Sequence, residues 1–225
     1  MSPLKKLKRY LDRRKGATMI RKAGFWFVDI PRTSSSSIKA DLGRHFGPAY
    51  GKTNLIEREY ATEQIFSDHI PAHKMRNIVG ARTWDNLYTF TIVRNPWDRI
   101  LSLYFYLKKR QRIPDGWNFP DYVKRLVDSD EKTPYFGFHG RRYGAVDYIL
   151  DENSVVVVDE ILRYENRAAG LRRVACRIGL PNLGSLRVQA ASPTDGSYRA
   201  MYDDTTRELI GKHFARDVLL LDYEF

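Results

Sequence analysis

Cysteine is almost missing from this sequence: there is one, Cys176, in 225 residues. A single thiol closes no internal disulfide, and without a cysteine cluster there is no thiolate zinc site. The scarcity fits a reducing, cytoplasmic setting. Cys176 lies between Ala175 and Arg177 in a helical-looking stretch and is expected to be a buried packing residue. No apolar run approaches the ~20 residues that a membrane-spanning helix needs. The basic start, Met1 to Lys15, is not followed by an apolar stretch and a small-residue cleavage site, so no secretory signal is expected. No group of His, Cys, Asp and Glu has metal-ligand spacing, so no metal is expected. Internal repeats are absent, and the only low-complexity stretch is Ser34 to Ser37.

Acidic residues are also in deficit, with 27 Asp and Glu against 38 Lys and Arg and a formal net charge of +11. A balance of that size implies an anionic partner, whether polymer, acidic surface or phosphorylated small molecule. No signature of a nucleic-acid-binding fold accompanies the charge, so nucleic acid is not an expected partner. The densest basic run, Lys5 to Lys15, fits a solvated N-terminal helix.

What is present suffices for a core: 43% of residues are hydrophobic and 13% aromatic. The length suggests one domain, on a prior of roughly 150 residues each. We read a basic segment over 1–24 and a single domain over 25–225. Phe25 to Ile30 is a short apolar, aromatic run that reads as a buried strand, and Leu87 to Val93 is a second strand, β-branched and aromatic; Val155 to Val158 is apolar without alternation and reads as a third, buried on both faces. Helices are predicted from Ser36 to Phe46, with serines to cap the start, and from Asn95-Pro96 towards Lys109. Two more run from Asn166 to Gly179 and from Asp203 to Ala215. Buried strands alternating with helices indicate an α/β fold with a parallel central sheet flanked by helices. Ligands of such sheets sit where strands end and helices begin.

Two junctions of that kind carry unusual chemistry. In Ile30-Pro31-Arg32-Thr33-Ser34-Ser35-Ser36-Ser37-Ile38, hydroxyls and backbone N–H groups gather at a helix start, which favours an anion. An ordinary capped helix behind a serine-rich loop fits the same spacing. The glycines and the Gly-Lys-Ser/Thr ending of a Walker loop are missing, which weighs against an ATP-dependent kinase. The second junction is Thr91 to Ser102. Arg94 falls at the strand's end and Ser102 eight residues later, leaning back towards it from the helix. A forked guanidinium and a hydroxyl converging there suit a phosphate monoester. Asp98 and Arg99 read as structural, and Trp97 and Tyr104 as core.

Together these segments resemble the sulfotransferase superfamily that uses 3′-phosphoadenosine 5′-phosphosulfate (PAPS), especially its carbohydrate sulfotransferase (family 2-like) branch and bacterial relatives. Pro31 to Ser37 is similar to that family's phosphosulfate-binding turn, with Arg32 in place of its lysine. Val93 to Ser102 is similar to its 3′-phosphate-binding run. His69-Ile-Pro-Ala72, Arg163-Tyr-Glu-Asn166 and the stretch from Phe214 to Phe225 add weaker likenesses. The resemblance implies a P-loop-like phosphosulfate-binding turn and transfer of a sulfuryl group to an acceptor hydroxyl. It implies PAPS as donor, 3′-phosphoadenosine 5′-phosphate (PAP) as product, and a carbohydrate or small natural product as acceptor. Arg32, Thr33, Ser34, Ser35, Ser36 and Ser37 would hold the 5′ side, and Arg94 and Ser102 the 3′-phosphate. Arg32 would also face the leaving phosphate. His69 is the expected base, since imidazole titrates near neutral pH; His73, Glu63 and Asp68 are the rivals. Lys108 to Tyr143 is read as an acceptor loop. The alternative readings are a P-loop-like kinase and a catalytically weak nucleotide-binding homologue.

Overall fold

The computed structural model describes residues 3–51, 69–128, 143–184 and 197–225, with side chains from residue 10 onward. Glu63, Asp68 and much of the expected acceptor loop lie outside the described residues. In chain order the elements are α1 (Pro3–Ala23), β1 (Phe25–Val28), α2 (Ser35–Phe46), α3 (Ala72–Val79), α4 (Ala81–Trp84), β2 (Tyr88–Val93), α5 (Pro96–Lys109), α6 (Phe119–Asp128), α7 (Val146–Ile149), β3 (Glu160–Arg163), α8 (Arg167–Ile178), α9 (Asp204–His213) and α10 (Ala215–Leu220). These residues divide between two compact units. The first holds 3–30, 34–51, 69–92 and 148–184; the second holds 31–33, 93–128, 143–147 and 197–225.

The first unit contains a parallel sheet flanked by helices, in the order β1-β2-β3. β1 and β2 pair in parallel from Phe25 opposite Tyr88 to Val28 opposite Thr91. Every residue of both strands is buried, as in a parallel sheet covered by helices on both faces. Each fully buried Phe, Val or Ile contributes about 1.5–3 kcal/mol. The buried threonines of β2 are satisfied: Thr91 Oγ1 donates to the Val28 carbonyl at 2.7 Å, and the Thr89 N–H and hydroxyl both donate to Asp159 Oδ2 at 2.7 Å. α1 lies against β1 and α3, and α8 against β3. Among the described residues no helix is long and apolar enough to cross a membrane.

The second unit is organised on α5, which is buried along most of its length. A helix apolar nearly all round belongs inside a core. Ile100, Leu103, Tyr104 and Leu107 pack with Phe119, Tyr122 and Leu126 of α6 and Ile210 of α9. Asn95 caps α5 as expected: its Oδ1 accepts from the Trp97 N–H at 3.1 Å, and Pro96 takes the first helical position. Asp203 and Thr206 close a reciprocal capping box on α9, a device of about 0.5–2 kcal/mol.

Three local expectations need correcting. Val155 to Val158 is not a strand; the third strand is Glu160–Arg163. Asp151 Oδ1 accepts from the N–H groups of Asn153 and Val155, both at 2.9 Å, and so builds a turn. That turn leaves Val155 and Val156 about half exposed, with Val156 alone joined to Leu150 by a single antiparallel bridge. Cys176 is exposed, not packed. The buried face of α8 carries Gly170, Leu171, Val174 and Ala175, and Cys176 falls past its edge beside Arg172, Arg173 and Arg177. Finally, Ser34 precedes α2 but makes no side-chain cap.

Candidate active site

The turn after β1 owes its shape to two residues in the left-handed region, Arg32 at φ 69° and Ser34 at φ 74°. Neither is glycine, and each such conformation costs roughly 1–2 kcal/mol, a kind of strain that persists chiefly at functional sites. Thr33 between them is fully buried. Ser35, Ser36 and Ser37 form the first turn of α2, where backbone N–H groups lack intrahelical acceptors. Ser35 is buried, and Ser36 and Ser37 are partly accessible.

Within the second unit Arg32 meets the run from Arg94 to Ser102. Arg94 leaves the end of β2 with its guanidinium 3% exposed and donates from Nη1 to the carbonyl of Arg32 at 3.1 Å. Its other contacts run along its own helix: Nε and Nη2 donate to Asp98 Oδ2 and Oδ1, both at 2.7 Å. This is a buried bidentate pair, the strongest geometry open to a guanidinium and a carboxylate. The Ser102 hydroxyl, expected to lean towards Arg94, instead accepts from Arg32, at 3.2 Å from Nε and 3.0 Å from Nη2. The Arg32 guanidinium also sits 4.4 Å from the ring centroid of Tyr106, one turn further along α5. Arg32, Arg94, Asp98, Ser102 and Tyr106 thus form one cluster, and Asp98 and Tyr106 are the members the sequence did not single out for the site. Asp98→Ala is expected to destabilise the chain by about 3–5 kcal/mol, because it strands a buried charge. The urea midpoint reads this, and an unmoved midpoint would remove the pair from the structural account.

A second cluster belongs to the first unit. His69 also has a left-handed backbone, φ 61°. Its Nδ1 lies 3.2 Å from the carbonyl oxygen of Asp29 and 3.2 Å from Asp29 Oδ1. The carbonyl is the better-directed hydrogen-bond acceptor, and the carboxylate contact is an ion pair. Lys39, on α2, donates from Nζ to Asp29 Oδ2 at 2.9 Å. Burial works against the charged ring of His69, but the hydrogen bond and charge of Asp29 outweigh it, so its pKa is raised above the ordinary imidazole value. Burial likewise works against the Asp29 carboxylate, yet His69 and Lys39 hold its pKa well below the usual carboxylate range. The sequence reading missed Asp29 and Lys39. An acid inside the run Phe25 to Ile30 was the available signal, since a buried carboxylate demands a partner. The rival His73 lies on α3; its Nδ1 is buried without a hydrogen-bond partner among the described residues.

A separate groove of about 510 Å³ opens in the first unit where Tyr164 to Asn166 lead into α8. Arg167, Arg172 and Asn182 are among its lining residues.

Comparison with known proteins decides the family: residues 15–224 match the Sulfotransferase family. The chain belongs to that family. The match takes in the serine turn, the Arg94 run and His69, and it supports sulfuryl transfer as the general activity. A curated relative from Archaeoglobus fulgidus, described as an uncharacterized protein, is 28% identical over 144 residues, covering 58% of this sulfotransferase and 98% of the relative. No solved structure matches.

Proposed function

We propose that the chain moves a sulfuryl group from PAPS to an acceptor hydroxyl of a carbohydrate or small natural product, in a cytoplasmic setting. The observation that carries the reading is the cluster in which Arg94 holds the Arg32 backbone while Arg32 holds Ser102. It joins Arg32 to the run from Arg94 to Ser102, the places to which this reading assigns the two ends of a doubly phosphorylated donor.

In the proposed reaction the acceptor oxygen forms a bond to sulfur as the bond from sulfur to the bridging phosphate oxygen breaks, in line and through a loose transition state. Arg32 faces the charge growing on the leaving oxygen, and Thr33 with Ser34, Ser35, Ser36 and Ser37 holds the 5′ phosphate in a P-loop-like turn. Arg94 and Ser102 hold the 3′-phosphate. His69 takes the proton of the acceptor hydroxyl, and its raised pKa suits it to keep that proton until the product leaves. The net exchange is sulfated acceptor, PAP and a proton from PAPS and acceptor.

PAP is expected to bind at least ~100-fold more tightly than AMP, the difference that a charge-assisted phosphate contact supports. Calorimetry with PAP, AMP and ATP tests this. Equal affinity for PAP and AMP would remove the 3′-phosphate assignment, and a preference for ATP would turn the reading towards a kinase.

A further inference from the structure

The reaction above uses His69 but not its ionisable neighbours. The Asp29 carboxylate is set between His69 and Lys39 inside the first unit. We propose that Asp29 and Lys39 are positioning residues that set the tautomer and charge of His69 for proton transfer. The inference rests on the reading of His69 as the base.

Asp29 lies directly beyond the last residue of β1 and is 7% exposed, so its carboxylate has given up most of its water. A buried carboxylate of this kind is retained when it is paired, and it has two partners. Lys39 Nζ occupies Oδ2 at 2.9 Å, and the imidazole Nδ1 stands 3.2 Å from Oδ1. The same Nδ1 faces the Asp29 backbone carbonyl at 3.2 Å. A carbonyl oxygen only accepts, so it requires a hydrogen on Nδ1. In the neutral ring this leaves the basic lone pair on Nε2. Asp29 therefore acts twice: its backbone chooses the tautomer and its side chain stabilises the imidazolium formed when Nε2 takes a proton. Lys39 opposes that second effect by charge, while its hydrogen bond fixes the carboxylate's orientation. Asp29 and Lys39 are both charged groups that act on the ring.

The signs follow. A protonated ring cannot accept, so turnover rises as pH climbs through the His69 pKa. Asp29→Asn removes a negative charge from beside the ring and should move that limb to lower pH. Lys39→Gln removes a positive charge and should move it to higher pH. The tautomer is expected to survive in both variants, because the carbonyl remains.

The test is an NMR titration of histidine-labelled full-length protein, with the His69 signals assigned by their loss in His69→Ala, run beside PAPS-dependent turnover. Asp29→Asn should lower the ring's pKa and reduce kcat by about 10–10²-fold, as expected for loss of a bond to a charged group, with KM for PAPS unchanged. Lys39→Gln should raise the ring's pKa. A His69 titration identical in wild type and Asp29→Asn, or moved the same way by both variants, would overturn the proposal; so would an Asp29→Asn enzyme with wild-type kcat and pH profile. If Asp29→Asn does not fold, Lys39→Gln decides, and a pKa that stays or falls sinks the idea. Wild-type protein that titrates as expected but transfers no sulfuryl group would uphold the pairing and overturn the function assigned to the base.

Discussion

Replacing His69 by alanine is expected to cut sulfuryl turnover by about 10²–10⁴-fold, the range typical of a lost general base. The affinity for PAP, measured by calorimetry, should not change. The two readouts separate because His69 belongs with Asp29 and Lys39, whereas Arg94 and Ser102 contact Arg32 in the other unit. An effect on binding alone would make His69 a donor ligand, and normal turnover would pass the base role elsewhere. Its ring is three-quarters buried and pairs with the buried Asp29 carboxylate, so alanine also costs stability, and a thermal midpoint measured beside turnover separates that loss from the loss of the base.

Arg32→Ala is expected to bring transfer down by at least ~10²–10³-fold, comparable with removing a preorganised donor from a developing anion. The fold should survive. Arg94 holds the backbone carbonyl of residue 32, not its side chain, so the anchor between the two motifs remains after truncation. What goes is the guanidinium on Ser102 and Tyr106. Arg32→Lys should recover part of the activity, because the charge is kept while the fork and the flat face against Tyr106 are lost. An alanine variant with wild-type turnover would exclude Arg32 from the chemistry.

Some of this was legible in the residues themselves. The start of α5 could be read because its determinants are local: an asparagine oxygen two residues from the N–H it caps, and a proline that needs no donor of its own. β1 was legible because burial on both faces leaves an apolar run, and β2 because its residues are aromatic or β-branched. The same rule misread Val155 to Val158, where a side-chain turn at Asp151 competes with the apolar signal. It also missed β3, whose Glu160 and Arg163 break the run. Helical spacing foretold that Ser102 would reach back along α5, but not that its partner would be Arg32, 70 residues earlier. Asp29 and His69 are separated by 40 residues, and no local pattern pairs them. Tertiary partners of single polar residues are what one sequence conceals.

The start of α5 has another attachment, through the second hydrogen-bonding group of its cap. While Asn95 Oδ1 receives the Trp97 N–H, Asn95 Nδ2 donates to the carbonyl of Glu224 at 2.7 Å, 129 residues away, and the Phe225 ring rests edge-on 5.5 Å from Trp97. Closing so long a loop is slow and entropically costly. During synthesis, then, the residue next to Arg94 stays unlatched until the 129 residues that separate it from Glu224 have been made.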